Sequence, residues 1–169
     1  MKYNRTGLAG DIGFSTIIDG KFKTCSLIVR FITELSRSTA AANALGIGAL
    51  STSNSSLRTL AELNEQLSAL YGSGLSSSAV KRGDVQVLTL SASWICDKYA
   101  IDGEDISGGM LNIVRDCLFA PNVTDGAFDS ESFMITKKDL LDRIDAELNS
   151  KRTYALSRAG EFAFRGEPA

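Results

Sequence analysis

A chain of 169 residues with 44% hydrophobic and 22% charged residues has the make-up of one globular domain, not of a disordered tail. A net charge of -2 leaves no positive field to draw in nucleic acid, and no apolar run reaches the length of a membrane span. The chain has no histidine, which removes Ser-His-Asp and Cys-His catalysis and every His-ligated metal site.

Residues 1–12 read as an N-terminal extension. Lys2 and Arg5 are not followed by the apolar stretch of a signal peptide. Ile12, Phe14, Thr16 and Ile18 alternate as a strand does. Asp19-Gly20 is a hairpin turn signal. A second strand follows, with Cys25, Leu27, Val29 and Phe31 on one face and Thr24, Ser26 and Arg30 on the other. The two runs are expected to form an antiparallel hairpin.

The Ala-rich segment 38–50 predicts a tightly packed helix, weakened by Gly46 and Gly48. A Ser-rich loop follows, and Ser55 or Ser56 is placed to cap the next helix. That helix runs to about Tyr71 and buries Leu57, Leu60, Leu63, Leu67 and Leu70. Gly72-Ser73-Gly74 ends it. Strands are expected at 75–81 and 84–95, with Leu88, Leu90, Ala92 and Trp94 on a core face. Ser76, Ser77 and Ser78, with Thr89, Ser91 and Ser93, make a polar face. Met110, Leu111, Val114, Cys117 and Leu118 form a helical stripe that Pro121 stops. A long helical region covers about 129–165, with a break near 149–152. Phe133, Leu140, Leu141, Ile144 and Leu148 make its first stripe; Ala155, Leu156, Ala159, Phe162 and Ala163 make the second. The fold class is α+β, an antiparallel sheet with helices on one face.

Candidate chemistry is sparse. Cys25, Cys96 and Cys117 are odd in number, far apart and without a CxxC pair, which suits structural thiols in a reducing cytoplasm. Ser78 and Lys81 match S-x-x-K, but on a strand and not at the helix start that this chemistry needs. Gly46-x-Gly48 and Gly72-x-Gly74 lack the strand-loop-helix setting of a phosphate loop. Asp139, Asp142, Asp145 and Glu147 read as a solvated helix face.

The order of elements, with Leu70-Tyr71-Gly72-Ser73-Gly74-Leu75, Leu118-Phe119-Ala120-Pro121 and Asp125-Gly126-Ala127-Phe128-Asp129, resembles the pitrilysin and insulinase metallopeptidase superfamily, which includes the mitochondrial processing peptidases. Gly166-Glu167-Pro168 resembles the loop after that family's long helix. The resemblance covers about residues 13–169. It is nearest to the non-catalytic bacterial branch associated with aminopentanol modification of elongation factor P. Active members carry H-x-x-E-H on the first helix and a Glu ligand on the later long helix. Those positions fall on Ala44, Ile47, Gly48 and, on the long helix, Arg143, none of which ligates zinc or moves a proton. The resemblance therefore implies a subunit with no cofactor and no catalytic residue. It would pair with an active zinc-bearing sister around a peptide or protein substrate, in the cytoplasm, away from membrane and nucleic acid. A purely scaffolding module is the alternative, and a hydrolase with a non-standard site is a third. Complete members add strands and a second domain, so residues 13–169 read as an incomplete domain with an unpaired sheet edge.

Overall fold

The computed structural model describes residues 1–165. The elements in chain order are β1 Lys2–Gly7, β2 Gly13–Ile18, β3 Thr24–Glu34, α1 Ala40–Leu50, α2 Leu60–Ala69, β4 Gly74–Arg82 and β5 Val85–Ile95. They continue with a 3-10 turn Asp97–Tyr99, α3 Ile106–Phe119, β6 Val123–Thr124, β7 Ala127–Phe128, α4 Ser130–Glu147 and α5 Lys151–Ala163. The α+β class is as expected. Gly166-Glu167-Pro168 lies outside the described residues.

The main sheet is antiparallel with strand order β3-β5-β4. Its helix-facing side carries Cys25, Leu27 and Val29 opposite Trp94, Ala92 and Leu90. Those residues join Ile47 of α1, Leu63 and Leu67 of α2, and Ile106, Met110, Ile113, Val114 and Cys117 of α3 in one apolar cluster. Ile106, Met110 and Cys117 are fully buried. The α3 stripe thus runs through Ile106 and Ile113 and leaves Leu111 exposed, in contrast to the expected set.

The expected hairpin between the first two alternating runs does not form. β2 pairs instead with β1, from Lys2 opposite Ile18 to Gly7 opposite Gly13. Around Asp19-Gly20 the chain bonds to itself: Lys21 N–H donates to Asp19 Oδ1 at 3.2 Å. Such Asx contacts compete with ladder pairing. Pairing β3 with β5 also puts its apolar face on the helices, a gain that a lone hairpin cannot supply. The β1-β2 hairpin stays outside the core, with Ile17 and Ile18 exposed.

The second helix starts later than expected. Thr59, not Ser55 or Ser56, caps α2: its side chain accepts from Glu62 N–H, and Glu62 returns a bond to the Thr59 N–H. This reciprocal capping box satisfies two N–H groups that the helix itself leaves free. The loop before it is held by Asn54, which is buried and accepts from the N–H of Ser56 and Leu57 at 2.9 and 2.8 Å.

The long helical region breaks as expected, between α4 and α5. Its first stripe is only partly covered. Phe133 and Leu140 are half-buried, while Leu141, Ile144 and Leu148 are exposed. The buried contacts of α4 sit in its first two turns, at Ser132 and Thr136, and are polar. On α5, Leu156 and Phe162 are exposed as well.

Candidate functional site

The four positions that the resemblance singles out lie on α1 and α4. The α1 helix is fixed at both ends. At its start, the Asn43 side-chain amide donates to Gln86 Oε1 and Gln86 Nε2 donates to the Ala40 carbonyl, each at 2.9 Å. Gln86 is buried on β5, so this pair docks the helix on the sheet. At its end, Ser51 Oγ donates to the Gly48 carbonyl at 2.7 Å and meets Ser77 Oγ of β4 at 2.9 Å. The α4 helix is fixed at its start. Asp129 caps it by accepting from Ser132 N–H at 3.0 Å, and Ser132 Oγ meets Ser53 Oγ at 2.9 Å in a buried contact. Thr136 Oγ1 donates to the Ser132 carbonyl one turn earlier.

These anchors bring α1 and α4 into contact at Gly48. A Cβ on Gly48 would collide with the Thr136 methyl. Beside this contact a cleft of about 310 Å³ opens among α1, β4 and α4. Gly48, Thr52, Ser77, Thr136, Asp139 and Arg143 all line it. Asp139 and Arg143 neutralise one another across one helical turn at 2.6 Å. Ile47 points elsewhere, into the core, where it is 4% exposed, and Ala44 is half-buried outside the cleft lining.

The structure therefore brings Gly48 and Arg143 to one cleft, and leaves Ala44 and Ile47 out of it. What surrounds the cleft is hydroxyl, aliphatic and one closed ion pair. A zinc site does not fit these residues: a ligand side chain at Gly48 has no room, and an Arg guanidinium repels a cation. Among the described residues, no three Cys, Asp or Glu side chains gather as metal ligands. Sequence reasoning missed Thr136 and Asp139 as cleft residues. A signal was present: Ser132, Thr136, Asp139 and Arg143 recur at helical spacing along one face of α4.

The Ser78 and Lys81 pair does not assemble. Both lie on β4, three residues apart, and strand pleating sends them to opposite sides of the sheet. Ser77 is also not part of the polar outer face; it turns to the helix side and meets Ser51. The outer face instead pairs Ser76 with Ser91 and Ser78 with Thr89, and Ser26 lies opposite Ser93.

Two groups near these elements are electrostatically shifted. Asp129 is held below the usual carboxylate range, chiefly by the Ser132 N–H. Burial pushes the Cys117 thiol up, against a weak contact from the Asn54 amide.

Comparison with known proteins bears on this geometry. No family model matches the chain. It is 28% identical over 148 residues to the Bacillus subtilis (strain 168) protein named "Probable inactive metalloprotease YmfF", covering 88% of this chain and 35% of that protein. The chain is similar to a protein named as a probable inactive metalloprotease. It also matches the crystal structure of a conserved protein from Enterococcus faecalis V583 with a TM-score of 0.75 and 27% identity, over 85% of this chain and 33% of that one. The chain spans about a third of the length of both relatives. The relative's name agrees with a peptidase-like, non-catalytic protein, as expected from the motif positions. No helix among the described residues is long and apolar enough to cross a membrane.

Proposed function

We propose that the chain is the peptidase-like part of a non-catalytic subunit, of the pitrilysin and insulinase type, that pairs with an active zinc-bearing sister. The observation that carries this reading is the Gly48–Thr136 contact. By the resemblance, Gly48 stands where the family's first helix would present a zinc ligand, and the similarity to a protein named probable inactive metalloprotease supports the same reading. The chemistry would then come from the sister, which supplies H-x-x-E-H. This chain would supply a wall of the substrate chamber. The outer face of Ser76, Ser78, Thr89, Ser91 and Ser93 suits that role, because small hydroxyl side chains tolerate water and passing peptide backbone alike. The cytoplasm and a part in elongation factor P modification belong to the same reading and rest on resemblance alone.

The test is affinity purification of the full-length protein from its source cells, with mass spectrometry of what accompanies it. A near-stoichiometric partner carrying H-x-x-E-H supports the reading. A near-stoichiometric partner without that motif supports a scaffolding role, for which the exposed apolar residues Ile144, Leu148, Leu156 and Phe162 offer surface. Recovery of the protein alone contradicts both.

A further inference from the structure

Cys25 and Cys96 lie 71 residues apart in sequence, yet their Sγ atoms are 2.8 Å apart. The sheet creates this meeting. Cys25 stands opposite Trp94 in the β3-β5 register, and the Cys96 N–H donates to the Lys23 carbonyl at 2.9 Å, extending the ladder past β5. Alternation then puts Cys25 and Cys96 on the same face, as diagonal neighbours. Two sulfur atoms not bonded to each other rest farther apart than this, and a disulfide needs them at about 2.05 Å. Both thiols are half-buried and within reach of a small molecule, whereas Cys117 is fully buried.

We propose that Cys25 and Cys96 are a redox modification site that closes an intrachain disulfide by exchange with a small disulfide of the glutathione class. The Cys96 thiolate attacks one sulfur of that disulfide, whose S–S bond breaks and releases one small thiolate. Cys25 then gives up its proton to water and attacks the Cys96 sulfur of the mixed disulfide. The second small thiolate leaves as the Cys25–Cys96 bond forms. The protein pair loses two electrons, and one small disulfide becomes two thiols. Burial, with Cys96 beside it, pushes the Cys25 thiol up to about 11. Little of Cys25 is ionised near neutral pH, so its step relies on the proximity of the two sulfur atoms. The bond would tie the start of β3 to the end of β5, two of the strands that carry the core face of the sheet. Inside a reducing compartment such a bond is transient and responds to redox conditions.

The test uses the full-length folded protein in glutathione buffers of stepped oxidising ratio. Acid quenching, alkylation and peptide mapping follow. We expect Cys25 and Cys96 to lose alkylation together at one ratio, with their two peptides linked, and dithiothreitol to restore both. Cys117 is expected to stay a free thiol throughout. Persistence of both free thiols at the most oxidising ratio overturns the proposal. So does stable glutathione on either residue of the wild-type protein, or a link between two chains. The Cys25→Ser variant is expected to trap glutathione on Cys96, and a Cys96 that stays free in that folded variant also counts against the proposal. Mapping of the wild-type protein decides the matter even if the variant does not fold.

Discussion

Gly48 of α1 meets the methyl group of Thr136 on α4 with no space between them for a side-chain carbon. A glycine within a helix costs up to about 1 kcal/mol relative to alanine, so its presence in the last turn of α1 needs a reason. Close helix approach is that reason. Replacing Gly48 with Ala sets a propensity gain of about 1 kcal/mol against an overpacking cost of about 1–3 kcal/mol. Thr136 is buried, β-branched and held by its bond to the Ser132 carbonyl, so it yields little. Gly48→Ala is expected to lower stability in denaturant titration. Thr136→Ser keeps the hydroxyl and removes the methyl, so the double variant is expected to recover most of the loss. Additive losses in that cycle would show that the two residues do not press on one another.

Leu63 joins α2 to the sheet and to α3 through the apolar cluster. It is 1% exposed, so truncation leaves a cavity with no solvent access. Leu63→Ala is expected to cost about 2–5 kcal/mol. A midpoint shift worth less than about 1 kcal/mol in urea would place Leu63 outside the core.

Thr59 closes the start of α2 through the capping box. Thr59→Ala is expected to cost about 1 kcal/mol, and Thr59→Ser nearly nothing, because serine keeps the accepting oxygen. Thermal unfolding of the two variants side by side separates capping from simple loss of the side chain.

Asp129 links acid stability to the start of α4. Its folded-state pKa lies below the unfolded value of about 3.9. The stability it contributes is therefore present above that unfolded value and is lost as pH falls through the lowered folded value. Asn can cap a helix without titrating. Asp129→Asn is thus expected to flatten the acid limb of Tm against pH below about pH 4 while leaving α4 formed. An unchanged acid limb would remove Asp129 from that role.

The exposed apolar residues of α4 and α5 are a further marker. Leu141, Ile144, Leu148, Leu156 and Phe162 are each at least half exposed. Patches of this kind favour association. The 169-residue chain is expected to self-associate with rising concentration in sedimentation velocity, and Ile144→Asp with Leu156→Asp to reduce it. Monomeric behaviour of the unaltered chain at high concentration would contradict this.

Much of the fold was legible because burial imposes periodicity. Leu88, Leu90, Ala92 and Trp94 alternate because one face of β5 meets helices, and α2 shows its leucines at helical spacing for the same reason. Strand pairing was less legible. Asp19-Gly20 looks like a hairpin turn locally, but the partner of β3 is decided by residues more than 50 positions away, at 85–95. The Thr59 cap was readable from Thr59 and Glu62 at capping-box spacing, and the nearer serines drew attention from it. Of the motif positions, Gly48 and Arg143 line the cleft, whereas Ala44 and Ile47 do not. The spacing of Ser132, Thr136, Asp139 and Arg143 marked one face of α4, but which helix that face meets was not legible, since contact between two helix faces depends on packing that a single helix does not encode.

Zinc content measured on the full-length protein, purified alone, loaded with excess zinc and then dialysed, bears most directly on the central claim. A peptidase-like subunit in which the resemblance puts Ala44, Gly48 and Arg143 at the ligand positions and Ile47 at the base position is predicted to retain only traces of metal and to leave unfolded peptide substrates uncut. Stoichiometric zinc that survives dialysis, with peptide cleavage abolished by a chelator, would contradict it.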